Sequence, residues 1–278
     1  MIRFSPDGDV LLLRKSTGRV VTLPCGYVPG GIKARRTTMN TALIFAGGTG
    51  KRMGAAGRPK QFLELHGKPI IIYTLEYFAR HPEIDAICVV CIDSWIDYLR
   101  DLLDRFRIRK VRWIIPGGAT SQDSTRAGLN AIAADCPPEE TIVLIHDGVR
   151  PLITSQLISE NIASVKAYGN AITAAPAIET IITVDGQENV QELIDRQTCR
   201  LARAPQSFRL ADILEMHRRA MSDGYDRMID SASLMIHYGA KLHLVEGPAE
   251  NIKITTPADF YIFKAITESR ENMQILGL

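Results

Sequence analysis

Four cations, Lys51, Arg52, Arg58 and Lys60, follow the closely spaced glycines Gly47, Gly48 and Gly50, and no Asp or Glu lies between Ala46 and Leu63. Backbone N–H groups reach phosphate oxygens where side chains are absent, and long cationic side chains neutralise what the amides leave over. The chemistry this suits is the handling of a polyanion, and a triphosphate is the first expectation. The apolar run Ala42–Ala46 reads as a buried strand with the glycine turn at its tip. Two familiar phosphate loops are excluded by spacing. A dinucleotide fingerprint needs GxGxxG, and the third glycine position holds Met53. A GxxxxGK[ST] loop ending on Gly50-Lys51 would need glycine at Phe45 and a hydroxyl at Arg52.

The surrounding elements place this turn. Apolar runs at Ala42–Ala46, Ala86–Ile92, Val111–Ile115, Ile142–Ile145 and Ala171–Ala175 alternate with helical patterns at Ile71–Arg80, Trp95–Phe106, Ser121–Ala134 and Ser155–Tyr168. That alternation predicts an α/β fold with a doubly wound, mostly parallel sheet. Ligands in such sheets sit outside the carboxyl ends of the strands. The Gly47 turn, Pro116-Gly117-Gly118 and His146-Asp147 all follow predicted strands, so they are expected on one rim. The pattern then breaks. Residues 178 to 198 read as a β-arm, with two extended segments around Gly186-Gln187-Glu188-Asn189. A lone hairpin is marginal in water, so a second subunit is its expected support. Helical segments follow at Leu210–Met221 and Asp230–Tyr238, with a strand at Lys241–Glu246. Thr256-Pro257 starts the last helix, proline taking the first helical position.

Composition narrows the class. The chain has 278 residues, 46% hydrophobic and 23% charged, with a net charge of +2. That balance gives no global basic field for nucleic acid, and no apolar run approaches the ~20 residues of a membrane span. Five cysteines at scattered spacings do not form a secreted disulfide framework. Cys88 and Cys91 sit inside an apolar strand pattern, where residues three apart point to opposite faces, so buried thiols are expected rather than a metal or redox pair. A reducing cytoplasm fits. Residues 1–38 differ from the rest, with basic residues and a Pro/Gly stretch. They read as an N-terminal extension, poorly ordered or preceding a true start at Met39, and residues 39–278 as the functional domain.

Further motifs follow in order. They are GGxGxRM then PKQ from Gly47, PGG at 116–118 before a helix bearing Ser124, HDGVRP at 146–151, AP-x-x-ET at 175–180, APQSF at 204–208 and NIKITTPAD at 251–259. Together they resemble the cytidylyltransferases that make CDP-linked polyols, the 2-C-methyl-D-erythritol 4-phosphate and ribitol 5-phosphate enzymes. The resemblance covers residues 40 to about 265. It implies a Rossmann-like nucleotidyltransferase that transfers CMP from CTP to a polyol phosphate and releases pyrophosphate, with magnesium on the triphosphate.

The resemblance also implies roles. Arg52, Lys60 and Lys253 would be the catalytic cations, and Ala46, Gly47, Gly48, Gly50, Gly118 and Ser124 would bind the nucleotide. Asp147, Arg150, Thr180 and Arg196 would contact the acceptor, with Asp147 also available to the metal. Arg196 would reach into the neighbouring subunit's site, which makes a homodimer with shared sites. Lys51 and Arg58 read as surface charges. His146 is not needed as a general base, because a phosphate acceptor is already ionised near neutral pH. Two departures bear on the acceptor. Ala204 replaces the family's Thr beside the PQ motif, with Arg203 available to compensate, and Glu179 replaces the Asp before Thr180. Two other readings stay open, a non-catalytic nucleotide sensor and a transferase using another nucleoside triphosphate.

Overall fold

The computed structural model describes residues 2–4, 10–14, 20–24, 38–48, 58–225 and 228–276. The chain divides into two units, Met1–Thr37 and Thr38–Leu278. In the first, β1 (Ile2–Phe4), β2 (Val10–Arg14) and β3 (Val20–Pro24) form an antiparallel meander.

The second unit is built on a seven-stranded sheet. Its chain order begins with β4 (Met39–Ala46), then the two-residue strands β5 (Glu64–Leu65) and β6 (Lys68–Pro69), which pair with each other. Next come α1 (Ile70–Arg80), β7 (Ala86–Cys91), α2 (Ile96–Arg105), β8 (Val111–Pro116) and α3 (Ser121–Asp135). They are followed by β9 (Thr141–Asp147), α4 (Ser155–Tyr168), β10 (Asn170–Pro176) and the hairpin β11 (Ile181–Val184) and β12 (Val190–Ile194). The chain closes with β13 (Arg200–Arg209), α5 (Leu210–Ser222), α6 (Ser231–His237), β14 (Leu244–Glu246) and α7 (Pro257–Leu276). Every predicted strand and helix is present, with shifts of a few residues at the ends.

The sheet order is β14-β10-β13-β9-β4-β7-β8, and the chain reverses direction of travel across the sheet at β4, between β7 and β9. Such a reversal opens a crevice at the strand tips. The tips are level, since Ala46 pairs with Cys91, Cys91 with Pro116, and Phe45 with Asp147. Both faces are covered. Ile44, Ile87 and Leu144 pack under α1, α2 and α4, while Leu43, Val90 and Val143 pack under α3, α5 and α6. Cys88 and Cys91 fall on opposite faces, fully buried, and burial pushes their thiols up to about 12 and about 11. They are core residues, as the period-2 rule requires.

One strand lies outside the sequence expectations. Residues 204–208 carry a motif with no strand expected there, yet β13 is the reversed member of the sheet, antiparallel to both β10 and β9. Pro205 stands in its middle, where the ladder with β10 shifts register between Ile172 and Ala174. A bulge is where a central strand tolerates proline, because no ladder N–H is demanded there.

Candidate active site

The rim of the sheet carries the candidate groups at the tips of β4, β8 and β9. At the tip of β4 the carbonyl of buried Ala46 accepts a hydrogen bond from the Gln61 amide. Gly47 and Gly48 follow. A Cβ on Gly47 would meet nothing within 4 Å, and one on Gly48 would lie 3.9 Å from Cε of Lys60. The Lys60 stem therefore runs beside the exposed turn backbone. Lys60 opens a short 3-10 turn, Lys60–Phe62, pinned by buried Phe62 stacked on Trp95 at 4.9 Å. Gly50, Lys51 and Arg52 lie outside the described residues. Arg58 is tied to Glu64 at 3.2 Å and to the Tyr98 hydroxyl at 2.7 Å, a structural pairing.

At the tip of β8, Gly118 N–H donates to Ser124 Oγ at 3.0 Å, and that hydroxyl donates to the Thr120 carbonyl at 2.9 Å. Thr120 and Asp123 complete a capping box on α3. A Cβ on Gly118 would stand 2.4 Å from Cβ of Asp123, so this loop folds back so tightly on the helix start that only glycine fits. In this arrangement Ser124 spends its donor and one acceptor on shaping the loop.

At the tip of β9, Asp147 Oδ1 meets Lys253 Nζ at 2.7 Å and Oδ2 meets Arg150 Nε at 2.8 Å. Burial pushes the Asp147 carboxyl up, and Lys253 and Arg150 more than reverse this, bringing it to about 2. Arg150 is nearly buried, and its Nη1 donates to the Asn251 carbonyl at 2.9 Å. Lys253 is held from both sides. Ile254 is fully buried against Val149, Leu152 and Phe263, and its N–H bonds the Val149 carbonyl at 2.9 Å. His146 is fully buried, its Nε2 is 3.2 Å from the Arg150 carbonyl, and burial drops its pKa to about 4. It braces the turn beneath the cleft that Asp147 and Arg150 line.

Asp147, Arg150, Lys253 and His146 line a cleft of about 220 Å³ with Arg203, Gln206, Asp230 and Ser121 of α3. The structure brings Asp147, Arg150 and Lys253 together there. Thr180 and Arg196 stand elsewhere, at the feet of the β11–β12 hairpin, both exposed, with Arg196 Nη1 donating to the Ile178 carbonyl at 2.9 Å. Two positioning residues escaped the sequence reading. Asn251 is fully buried and donates from Nδ2 to the Ala204 carbonyl at 2.7 Å. Gln206 donates to Asp230 Oδ2 at 2.7 Å and accepts from Ala232 N–H at 2.9 Å. Both sit inside recognisable motifs, but their partners are distant in sequence and leave no local signal.

A crevice at the switch point, a glycine turn beside a lysine, and a carboxylate clamped by two cations suit a reaction between phosphate groups. The family model for 2-C-methyl-D-erythritol 4-phosphate cytidylyltransferase matches residues 40–269. The chain belongs to that family. Within it, the chain is 55% identical over 239 residues to the ribitol-5-phosphate cytidylyltransferase of Vibrio parahaemolyticus, covering 86% of this chain and 100% of the relative. It is 36% identical over 229 residues to the 2-C-methyl-D-erythritol 4-phosphate cytidylyltransferase of Clostridium botulinum, covering 82% and 97%. The fold is similar to the 4-diphosphocytidyl-2C-methyl-D-erythritol synthase of Anaerococcus prevotii, with a TM-score of 0.73, 26% identity, and 84% and 97% of the two chains covered. Cytidylyltransferases are nucleotidyltransferases, and this family member is an enzyme of that class.

Proposed function

We propose that this protein transfers CMP from CTP to D-ribitol 5-phosphate, giving CDP-ribitol and pyrophosphate. An oxygen of the acceptor's phosphate attacks the α-phosphorus of CTP. The bond from that phosphorus to the bridging oxygen breaks, and pyrophosphate leaves with the electron pair. The acceptor's second pKa is about 6, so the nucleophile is already ionised and no base is required. The work is positioning and charge stabilisation. The observation that carries the reaction is the Asp147–Lys253–Arg150 cluster on the rim next to the Gly47-Gly48 turn and Lys60. The higher identity to a ribitol-5-phosphate enzyme supports the choice of acceptor.

In this reading the amides of Gly47, Gly48 and Gly50, with Arg52 and Lys60, hold the triphosphate. The Gly118 loop, shaped by Ser124, meets the cytosine. Lys253 faces the transferring phosphoryl group, and Asp147 with Arg150 orients the acceptor. Magnesium enters as the counter-ion of CTP. The described residues fit a resident metal poorly, because both oxygens of Asp147 are taken by cations and no three His, Cys, Asp or Glu gather. The hairpin supports a homodimer. Ile182 pairs with Leu193 and Val184 with Val190, all four exposed, so one face of the arm is an apolar stripe. Thr180 and Arg196 would then serve the partner's cleft. We place the reaction in the cytoplasm, where thiols stay reduced.

The test is pyrophosphate release with each nucleoside triphosphate against a panel of polyol phosphates. Turnover is expected with CTP and D-ribitol 5-phosphate, favoured in kcat/KM by at least about tenfold over 2-C-methyl-D-erythritol 4-phosphate. Turnover with UTP or GTP but not CTP would refute the reaction, and the opposite acceptor preference would refute the acceptor.

A further inference from the structure

Arg203 differs from the other cations of the cleft. Arg150 and Lys253 each hold an oxygen of Asp147, whereas among the described residues no carboxylate pairs with Arg203. Its hydrogen bond runs from Nη1 to the Asn251 carbonyl at 3.3 Å, and that same oxygen already accepts from Arg150 Nη1 at 2.9 Å. Its Nε is buried without a partner. Two guanidinium groups thus converge on one neutral oxygen. Burial and the neighbouring Arg150 charge both pull the Arg203 pKa below its usual value. A partly buried cation beside a like charge, without a counter-ion, is unfavourable in the ligand-free protein and becomes favourable once an anion joins it.

The sheet order says which anion. Arg203 lies at the rim end of β13, in the stretch where the bulge interrupts pairing with β10. Gln206 pairs with Ile145 antiparallel, so Arg203 and Ala204 lie toward the level of Asp147. β13 flanks β9 on the side away from β4. With strands about 4.8 Å apart, the Arg203 backbone stands about 10 Å along the rim from the glycine turn. In the cytidylyltransferase reading the nucleotide spans the β4 to β8 side, from the glycine turn to the Gly118 loop. The anion beside Arg203 is then the one arriving from the other side.

We infer that Arg203 binds the phosphate group of the acceptor, as its ion-pair partner in the cleft. This rests on the cytidylyltransferase reading above. Arg150 stays engaged by Asp147, so Arg203 supplies the uncommitted charge that a dianion requires.

The experiment compares wild type, Arg203→Leu and Arg203→Lys, each checked for a native melting transition. Steady-state kinetics with CTP and D-ribitol 5-phosphate is combined with calorimetric titration of D-ribitol 5-phosphate. In Arg203→Leu the acceptor KM is expected to rise at least about thirtyfold, with the KM for CTP changed less than about twofold. Arg203→Lys should fall between, because a point charge replaces a fork. Wild-type turnover with an unchanged acceptor KM in folded Arg203→Leu, or a rise confined to CTP, would overturn the role of Arg203 and leave the reaction standing. Acceptor binding that is lost in Arg203→Leu, with no turnover by wild type, would support the role of Arg203 and refute the reaction.

Discussion

Asp147 keeps its two cations over most of the pH range, and two buried histidines limit acid stability before it does. His146 and His217 are both nearly inaccessible, and burial lowers each from 6.5 to about 4. The unfolded chain takes up these protons near pH 6.5 and the native protein only near pH 4. Stability is therefore full above 6.5 and falls as the pH drops towards 4, by at most on the order of 3 kcal/mol per histidine. The Asp147 carboxyl, depressed to about 2, adds stability that is lost between its ordinary value of 3.8 and about 2. The urea midpoint should therefore decline from pH 6.5 to 4, and His146→Phe should remove about half of that decline. An unaltered slope in the variant would show that His146 protonates as easily in the native protein as in the unfolded one. Lys253, Asp147 and Arg150 were legible in the sequence because HDGVRP and NIKITTPAD, the motifs that hold them, resemble those of the cytidylyltransferase family. The Asn251 carbonyl, on which two guanidinium groups meet, was not, since every residue has a carbonyl and only the fold decides which one is offered.

Of the strands read from apolar runs, β4, β7, β9 and β10 are buried on both faces, where composition alone marks them, while β8 at the edge of the sheet is half-exposed. β13 lacked that mark. Its first residues, Arg200, Leu201 and Ala202, are exposed, its middle holds Pro205, and only Ala204 to Phe208 are buried. Such a segment resembles a loop until its neighbours on both sides are known. The turn at Gly118 shows the converse, a local feature with a readable cause. The approach of 2.4 Å between a Cβ there and Asp123 leaves no room for alanine without displacing the start of α3. Gly118→Ala is expected to raise the KM for CTP about tenfold while the acceptor KM stays within about twofold, because the strain falls on the β8 side of the rim. Equal changes in both constants would place the loop's influence on the whole cleft.

The distribution of site residues over the whole molecule poses a question that the isolated chain answers only in part. Asp147, Arg150 and Lys253 share one cleft, while Thr180 and Arg196 stand at the feet of the arm. If the arm completes a partner's site, Arg196→Ala and Lys60→Ala proteins should each be nearly inactive alone. An equimolar mixture after subunit exchange should recover about a quarter of wild-type activity, since half the dimers are hybrids with one intact site each. No recovery, with exchange verified, would count against shared sites. The arm was legible as a pair of extended segments around a turn-like tetrapeptide. Its anchorage has a separate meaning. β10 runs out to the rim and β13 returns from it, so both ends of the arm are rooted at the same edge, tied by Arg196 on the Ile178 carbonyl. Residues 181–194 are then an interchangeable module. Trimming or extending both strands in step leaves the register of β10 against β13 fixed, so the arm can change length without disturbing the rim that holds Asp147, Arg150 and Lys253.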